Sequence, residues 1–333
     1  MSSADIPMEE LLGYLEVLAN QSLALWEVPG GATARLINVS ENATYLVEAA
    51  GYKSVLRIHR EDYHTERAIQ CELEWSTALR EDGSIVTPRY LVGRDGRAIQ
   101  SGIVDGLPRP RYMVMFEFVN GTQPDETHDL VKAFEELGEI AARTHLHSIG
   151  WQRPEPFERL SWNLDTVFGP NATWGNWRDA PNVTPAIRDV LERVERTVVR
   201  RLQAFGSGPE RYGLVHADMR LANLLVDDNG TRLIDFDDCG FGWFLYDFAT
   251  GISFMEVHEL VPALKVSWVN GYRKARSLSD EDADQLDTFV MLRRLALLAW
   301  IGSHIEAPEP QALAPDFARV SAELGETYLK KYG

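Results

Sequence analysis

One segment of the sequence carries polar residues whose types and order fit a single reaction. In LVHADMRLANLLVDDNGTRLIDFDD, residues 214–238, His216 and Asp218 precede Asn223, and Asp235 follows a hairpin-like stretch. Phosphoryl transfer needs an oriented hydroxyl nucleophile, a group that accepts its proton and a metal ion that bridges the phosphates. A carboxylate, an amide oxygen and a second carboxylate supply these parts, and hard oxygen ligands of this kind suit Mg²⁺. The segment therefore indicates a phosphoryl-transfer site.

The pattern of the chain predicts the elements that position these residues. Before residue 120, short β-type segments (ARLINVS, TYLVEA, SVLRI and YMVMFEFV) accompany one helix from Thr65 to about Arg80. After Gly121, helical periodicity dominates, although Asn229-Gly230 indicates a β-hairpin. We expect an α+β fold with a small antiparallel β-rich lobe and a larger, mostly helical lobe.

The domain prediction places the division at a connecting strand. Residues 1–119 form the N-terminal lobe, with a hinge at 116–119, and residues 120–333 form the helical lobe. The stretch 151–181, rich in Pro and Trp, shows no clear period and is expected to be an ordered loop region. A helix is expected over Trp243–Ala249, within about ten residues of Asp235.

Residues 214–249 resemble the catalytic and metal-binding loops of the aminoglycoside phosphotransferase family. These protein-kinase-like enzymes include choline kinases, type II homoserine kinases and the bacterial stress-response kinase. The resemblance covers about residues 25–300 and implies a bilobal, protein-kinase-like fold. By position, Asp218 matches the catalytic Asp, while Asn223 and Asp235 match the metal ligands. The resemblance also makes His216 a brace of the loop and Asp247 the buried Asp that supports it.

The same resemblance assigns the nucleotide site. Ser40 lies in the loop that covers the nucleotide, and Arg57 stands where many relatives carry a phosphate-anchoring Lys. Arg cannot lose its charge and can contact two phosphate oxygens, so the ion-pair role is kept. Glu72 is the expected partner of Arg57, with Glu74 as a competing assignment. The backbone of Glu117 and Val119, in the hinge, is expected to bind the adenine edge.

Several further side chains have more than one interpretation. Arg220 either neutralises charge on the transferring phosphoryl group or makes a salt bridge within the loop. Asp237 either binds substrate or supports a second metal, or it is a loop acid. The tryptophans at 162, 174 and 177 either surround a cationic substrate or, as we expect, pack in the loop region. His145 and His147 could suggest a metal-binding pair, but two positions apart on a helix they point in different directions, so we expect core or capping residues.

The composition excludes some classes of function. The 333 residues include 33 Lys and Arg against 50 Asp and Glu, a net charge of −17, so we expect no nucleic-acid partner. The apolar run LALLAWIG is far shorter than the ~20 residues that span a bilayer, so we expect no membrane insertion. Two cysteines and an N-terminus without a signal-peptide pattern predict a cytoplasmic location.

The function expected from this resemblance is ATP- and Mg²⁺-dependent phosphorylation of a hydroxyl on a small molecule, most simply an amino acid or amino alcohol. The Trp-Gly-x-Trp segment at 174–177 and the Leu-Arg-Ile-His-Arg strand are similar to the homoserine kinase and stress-response kinase branch. A protein Ser/Thr kinase, an aminoglycoside kinase and an ATP-binding pseudokinase are the alternatives. The short stretch between Asp235 and the next helix leaves little room for a peptide platform, which favours a small substrate. The choice between ATP and GTP and the oligomeric state stay open.

Overall fold

The computed structural model describes residues 6–39, 42–124, 129–227 and 230–333. The chain forms two compact units. The first consists of residues 1–78, 87–120 and 154–158, and the second of residues 79–86, 121–153 and 159–333. Ser40, expected in the nucleotide-covering loop, lies outside the described residues.

The first unit is built on an antiparallel sheet with one helix against each face. Its strands run in the order β1-β2-β3-β6-β4, and β5 pairs with β6. Its elements, in chain order, are α1 (Met8–Ser22), a 3-10 turn (Leu23–Leu25), β1 (Thr33–Val39), β2 (Ala43–Ala49), β3 (Tyr52–Ile58), α2 (Glu66–Glu81, whose last three residues belong to the second unit), β4 (Tyr90–Leu91), β5 (Gln100–Gly102) and β6 (Arg111–Glu117).

The two-residue period of the strands sorts side chains between the two faces of this sheet. Leu56 and Ile58 of β3 pack in one apolar cluster with Leu15 and Leu18 of α1. Arg57, between them in sequence, therefore points to the opposite face, where its β6 register partner is Val114. Val114 packs in a second cluster with Ile69 and Leu73 of α2. The strand thus directs Arg57 toward α2.

The second unit is mainly helical and contains two small sheets. A two-stranded sheet pairs β9 with β10, and a three-stranded sheet has the order β7-β11-β8. Its elements are α3 (Leu130–Gly150), β7 (Leu160–Trp162), α4 (Leu164–Phe168), a 3-10 turn (Trp177–Asp179), α5 (Pro185–Phe205), β8 (Tyr212–Val215), a 3-10 turn (Leu221–Asn223), β9 (Leu224–Asp227), β10 (Gly230–Leu233), β11 (Gly240–Trp243), α6 (Tyr246–Gly251), α7 (Val261–Ala275), α8 (Asp280–Ala283), α9 (Leu286–Ser303) and α10 (Pro308–Tyr332).

Helices α3 and α7 approach each other closely because each has a glycine at the contact. A Cβ added at Gly271 of α7 would lie 1.8 Å from the carbonyl oxygen of Glu135. A Cβ added at Gly138 of α3 would lie 2.0 Å from the carbonyl oxygen of Trp268. Side chains at these positions would push the helices apart, so the two glycines set the distance between them.

The α+β class predicted from the sequence is confirmed, with an antiparallel N-terminal sheet followed by helices. The expectation of a helix starting at Trp243 is wrong. Trp243 ends β11, which pairs with β8 through the register Trp243 to Tyr212, and the helix begins at Tyr246. The stretch 151–181 contains β7, α4 and one 3-10 turn, where only an ordered loop was expected. Within the described ranges, none of the helices is long and apolar enough to cross a membrane.

Candidate active site

The loop that follows β8 is held in place by the first turn of α6. The carboxylate of Asp247 accepts hydrogen bonds from the backbone N–H groups of His216, at 3.2 Å, and Ala217, at 2.8 Å. One turn further along α6, the hydroxyl of Thr250 accepts from the N–H of Met219 at 3.0 Å. Ala217 takes a left-handed conformation with φ of 64°, uncommon for a residue with a side chain. The buried acceptors on α6 therefore fix the backbone on both sides of Asp218.

His216 ties this loop to the strand end that precedes Asp235. Its Nδ1 accepts from the N–H of Asp218 at 3.2 Å, and its Nε2 donates to the carbonyl oxygen of Ile234 at 3.1 Å. The N–H of Ile234 in turn donates to the carbonyl oxygen of Asn223 at 2.9 Å. Asp235 follows directly, so the backbone places it next to Asn223. Both ring nitrogens of His216 thus hydrogen-bond to the backbone and brace the loop.

The carboxylate of Asp218 lies among three side-chain donors. Nη2 of Arg293 is 3.0 Å from Oδ1, and Nε of Arg220 is 3.2 Å from Oδ2. The amide nitrogen of Asn223 donates to Oδ2 at 2.8 Å and also to the backbone carbonyl of Asp218 at 2.9 Å. The structure therefore brings together three residues that the sequence analysis singled out, Asp218, Arg220 and Asn223.

These donors keep Asp218 ionised. Burial alone would raise the pKa of its carboxyl, because the charged form loses water. The positive charges of Arg220 and Arg293 outweigh burial and hold the pKa below its ordinary value. The side chain keeps 13% of its surface exposed. A carboxylate in this setting can accept a hydrogen bond from a substrate hydroxyl.

Asp235 is exposed, and the turn that follows it is anchored by Arg159, directly before β7, and by Trp162, the last residue of β7. The guanidinium of Arg159 donates to the backbone carbonyls of Cys239, at 2.8 Å, and Asp237. The indole of Trp162 donates to the carbonyl of Asp238 at 2.8 Å. Asp235 itself has a positive φ of 60°. Asp237 is only 5% exposed, and its role toward a substrate stays a prediction.

In the first unit, Arg57 and Glu72 form the ion pair expected from the sequence. Nη2 of Arg57 is 2.7 Å from each carboxylate oxygen of Glu72, and the two side chains are 6% and 3% exposed. The competing residue Glu74 pairs instead with Arg67 at 3.0 Å. The guanidinium of Arg57 also lies 5.2 Å from the ring centre of Phe116.

The hinge residues lie at the end of β6. The N–H of Glu117 donates to the carbonyl of Arg89 at 2.8 Å, and Val119 lies beyond the end of the strand. Their contacts with adenine stay a prediction, as does the phosphate contact of Arg57.

Trp162, Trp174, Trp177 and His145 are packed in the interior of the helical unit. The rings of Trp162 and Trp174 are 4.7 Å apart, and Trp177 donates to Glu195 at 2.6 Å. All three tryptophans are at most 5% exposed. His145 is fully buried and contacts Asp247 at 2.8 Å. The expectation of packed residues therefore agrees with the structure for the three tryptophans and for His145.

Two residues at the site were missed by the sequence analysis. Arg293 reaches Asp218 from α9, and Glu309, in the first turn of α10, contacts Nη1 of Arg220 at 3.1 Å. Arg293 had a signal, because it interrupts the apolar run LDTFVMLRRLALLAW, and a charge within a buried helix needs a partner. Glu309 had none, since its contact joins positions 89 residues apart.

The comparisons with known proteins agree with this geometry. The sequence model of the phosphotransferase enzyme family matches residues 33–286. The solved structure of a microcompartment-associated aminopropanol kinase is 45% identical, and the alignment covers 95% of this chain and 98% of that one, with a TM-score of 0.88.

More distant relatives share the fold. An amicoumacin kinase solved with AMP-PNP and Ca²⁺ is 19% identical, covering 95% and 96% of the two chains, with a TM-score of 0.75. The curated amicoumacin kinase of Bacillus subtilis is 22% identical over 214 residues, 64% of this chain and 60% of that protein. The chain thus spans 60% of the length of that curated relative. With more than half of its residues matched by the family model and a 45% identical relative along nearly its whole length, the chain belongs to the phosphotransferase enzyme family.

Proposed function

We propose that the protein is an ATP-dependent kinase that transfers the γ-phosphoryl group to the hydroxyl of a short amino alcohol such as aminopropanol. The observation that carries the substrate class is the 45% identity to the aminopropanol kinase over 95% of this chain. The arrangement of Asp218, Arg220 and Asn223 supports the reaction. His216 links the Asp218 loop to the segment before Asp235, as a site that positions a nucleophile and a metal ion requires. In the first unit, the buried Arg57–Glu72 pair supplies a fixed cation of the kind that kinases use to hold phosphates.

The donor atoms at the loops fit Mg²⁺. The amide nitrogen of Asn223 points to Asp218, so the amide oxygen is the atom of that side chain that can ligate a metal. Asp235 offers an exposed carboxylate near Asn223, because the preceding residue, Ile234, hydrogen-bonds to the backbone carbonyl of Asn223. Mg²⁺ prefers hard oxygen ligands and retains several waters, so few protein ligands suffice. When bound, the ion would neutralise charge on the β- and γ-phosphates.

Asp218 acts on the acceptor. Its carboxylate, fixed by Arg293 and Asn223, accepts a hydrogen bond from the substrate hydroxyl and so aims the oxygen at the γ-phosphorus. As the new O–P bond forms, the bond from the γ-phosphorus to its bridging oxygen breaks and ADP leaves. The hydroxyl proton passes to Asp218, which releases it to water after turnover.

Arg220 acts on the phosphoryl group. Its side chain is 25% exposed and bridges Asp218 and Glu309. A permanent guanidinium at this position can turn toward the transferring group and neutralise the charge on its oxygens. In the first unit, Arg57 holds the nucleotide phosphates, and Glu72 fixes the direction of its guanidinium. Glu117 and Val119 offer backbone groups to the adenine, and Asp237 is a substrate contact.

The test is to incubate the protein with Mg²⁺ and ATP and single acceptors, namely aminopropanol, ethanolamine, choline, homoserine and an aminoglycoside, and to detect phosphorylated products by mass spectrometry. We expect phosphoaminopropanol to form fastest. An Asp218→Asn variant should lose about 10²- to 10⁴-fold in kcat, because it cannot accept the proton. The control is Asp165→Asn, which changes an exposed carboxylate at the start of α4 and should keep full activity.

The outcomes separate the alternatives. A phosphorylated aminoglycoside or homoserine in place of an amino alcohol would overturn the substrate class but keep the kinase. Binding of ATP without turnover of any acceptor would favour the pseudokinase. An Asp218→Asn variant with undiminished activity would refute the role of Asp218.

A further inference from the structure

We propose that Arg293 is a positioning residue for Asp218, a fixed cation on α9 that holds the catalytic carboxylate in its productive orientation. The inference rests on the proposed kinase activity. It adds a residue that lies 75 positions from Asp218 in the sequence and outside every motif recognised there.

The surroundings of Arg293 immobilise its guanidinium. The side chain is 3% exposed. Its Nε donates to the hydroxyl of Ser253 at 3.3 Å, and its Nη1 to the hydroxyl of Tyr246 at 3.4 Å. The guanidinium lies 5.1 Å from the ring centre of Trp174 and 5.8 Å from that of Tyr246. Contacts on several sides leave Nη2 directed at Asp218 Oδ1, at 3.0 Å.

The pairing is not explained by the stability of α9. Placing an arginine inside a helix core costs several kcal/mol unless a carboxylate compensates the charge. Among the described residues, Asp218 is the one carboxylate within 4.0 Å of Arg293, and it lies on the loop that the proposed reaction uses. The carboxylate that pairs directly with Arg293 is therefore the one that the reaction needs ionised and oriented.

Arg220 and Arg293 differ in the freedom that the structure gives them. Arg220 is 25% exposed, and its second partner, Glu309, is 42% exposed. It can leave Asp218 and turn toward a phosphoryl group. Arg293 cannot do so without emptying a buried position. Arg293 therefore keeps Oδ1 in place while Arg220 moves away from Oδ2, and the carboxylate stays aimed throughout the reaction.

The next residue on α9 supplies a matched control. Arg294 is also buried, at 4% exposed, and it pairs with the carboxylate of Glu256 at 2.7 Å and with the hydroxyl of Ser321 at 2.8 Å. Its loss leaves the buried Glu256 unpaired, so an Arg294→Ala variant should be destabilised at least as much as an Arg293→Ala variant. It does not contact Asp218.

The experiment compares these two variants with the unmodified protein by ADP release, measured with aminopropanol and, separately, with water as the acceptor. Arg293→Ala should lower kcat about 100-fold, since a displacement of about 1 Å at the reacting groups has that effect, while KM for ATP changes less than about threefold. Millimolar guanidinium should restore at least a tenth of the lost rate by occupying the emptied position. Arg294→Ala should keep the kcat of its folded fraction, and guanidinium should not raise it.

The results that overturn the inference are distinct. Arg293→Ala with kcat within about threefold of the unmodified protein, or with no response to guanidinium, refutes the positioning role. Equal losses of kcat in Arg293→Ala and Arg294→Ala would show that the loss comes from structural damage to α9 and would refute the positioning role. ADP release without a phosphorylated amino alcohol contradicts the proposed substrate but leaves the Arg293 comparison intact in the water reaction. No ADP release with either acceptor contradicts both proposals together.

Discussion

His145 on α3 and Asp247 on α6 are joined by a fully buried hydrogen bond of 2.8 Å. Asp247 is the same carboxylate that holds the backbone on the N-terminal side of Asp218. The other ring nitrogen of His145 accepts from the hydroxyl of Tyr272 on α7 at 2.9 Å. The helices α3 and α7 thus support the loop that carries Asp218 through one histidine. Their close packing at Gly138 and Gly271 therefore helps to hold His145 against Asp247.

The first prediction is a dependence of stability on pH that comes from His145. Burial lowers its pKa, and this effect outweighs the hydrogen bond and charge of Asp247. Below about pH 6.5, the unfolded chain protonates this residue while the folded chain does not, so stability falls as the pH falls. His145→Gln keeps an N–H donor and does not titrate. Its free energy of unfolding should therefore lose about 1 kcal/mol less than the unmodified protein between about pH 7.5 and about pH 5.5.

Urea denaturation at the two pH values measures this difference. The reference for each protein is its own stability at about pH 7.5, where His145 is neutral in both the folded and the unfolded chain. Equal slopes for His145→Gln and the unmodified protein would contradict the assignment.

Local patterns predicted much of the fold. The alternation in β3 and the period of α2 lie within one short stretch, so the Arg57–Glu72 pair could be anticipated from spacing and resemblance. Short-range turn signals likewise predicted the β9–β10 hairpin. Strand β11 was missed because its four residues, GFGW, include two glycines and are too few to show a periodic pattern. Its partners β7 and β8 are also distant from it in the sequence.

The sequence predicted the site residues that lie on the loops, but not those that come from the helices α9 and α10. Asp218, Asn223 and Asp235 follow each other within eighteen residues, and their order carries the signal. Arg293 and Glu309 come to Asp218 and Arg220 through the packing of α9 and α10, which one sequence does not fix. Adjacent arginines in an apolar helix predict buried ion pairs, but the partners of those pairs depend on tertiary structure.

A second prediction concerns the buried ion pair of the first unit. Glu72→Gln replaces the carboxylate that lies 2.7 Å from the buried guanidinium of Arg57 with a neutral amide, so the free energy of unfolding should fall by about 3–5 kcal/mol. We also expect KM for ATP to rise, because the guanidinium loses its fixed direction. Denaturation curves and steady-state kinetics measure the two effects. Glu74→Gln on the same helix breaks the more exposed Arg67–Glu74 pair and should cost at most about 1 kcal/mol. Similar losses in both variants would sink the prediction.

A third prediction is that alanine substitutions at two helical glycines change the stability of the protein in opposite directions. Gly271→Ala places a Cβ against the carbonyl oxygen of Glu135, which backbone packing cannot easily relieve, and should destabilise the protein by about 1–3 kcal/mol or more. Gly13→Ala lies within α1 with no atom within 4 Å of the new Cβ. It should stabilise the protein by about 0.5–1 kcal/mol, since alanine is the better helix former. Thermal unfolding of both variants decides the matter, and equal signs would contradict the helix contact.

A fourth prediction tests the metal ligands. Asp235→Asn replaces a charged carboxylate ligand with a neutral amide, so the Mg²⁺ concentration for half-maximal rate should rise at least about tenfold. Stabilisation by Mg²⁺ with a non-hydrolysable ATP analogue, read from thermal unfolding, should weaken in parallel. Asp227→Asn, on β9 and paired with Arg232, should leave the metal requirement unchanged. An unchanged requirement in Asp235→Asn would exclude this carboxylate as a ligand.

A fifth prediction distinguishes the two interpretations of Arg220. If its guanidinium neutralises the transferring phosphoryl group, Arg220→Gln should lower kcat by about 10²-fold or more, as the loss of a charge-stabilising donor does in other enzymes. Glu309→Gln removes the second partner of Arg220 and frees the guanidinium to turn, so kcat should stay within about threefold or rise. If Arg220 serves only as a loop salt bridge, both variants weaken the same Asp218–Arg220–Glu309 chain and should lower kcat alike. Steady-state kinetics of the two variants therefore assign the role of Arg220, because a salt-bridge role lowers kcat in both variants, whereas a phosphoryl contact lowers it in Arg220→Gln and not in Glu309→Gln.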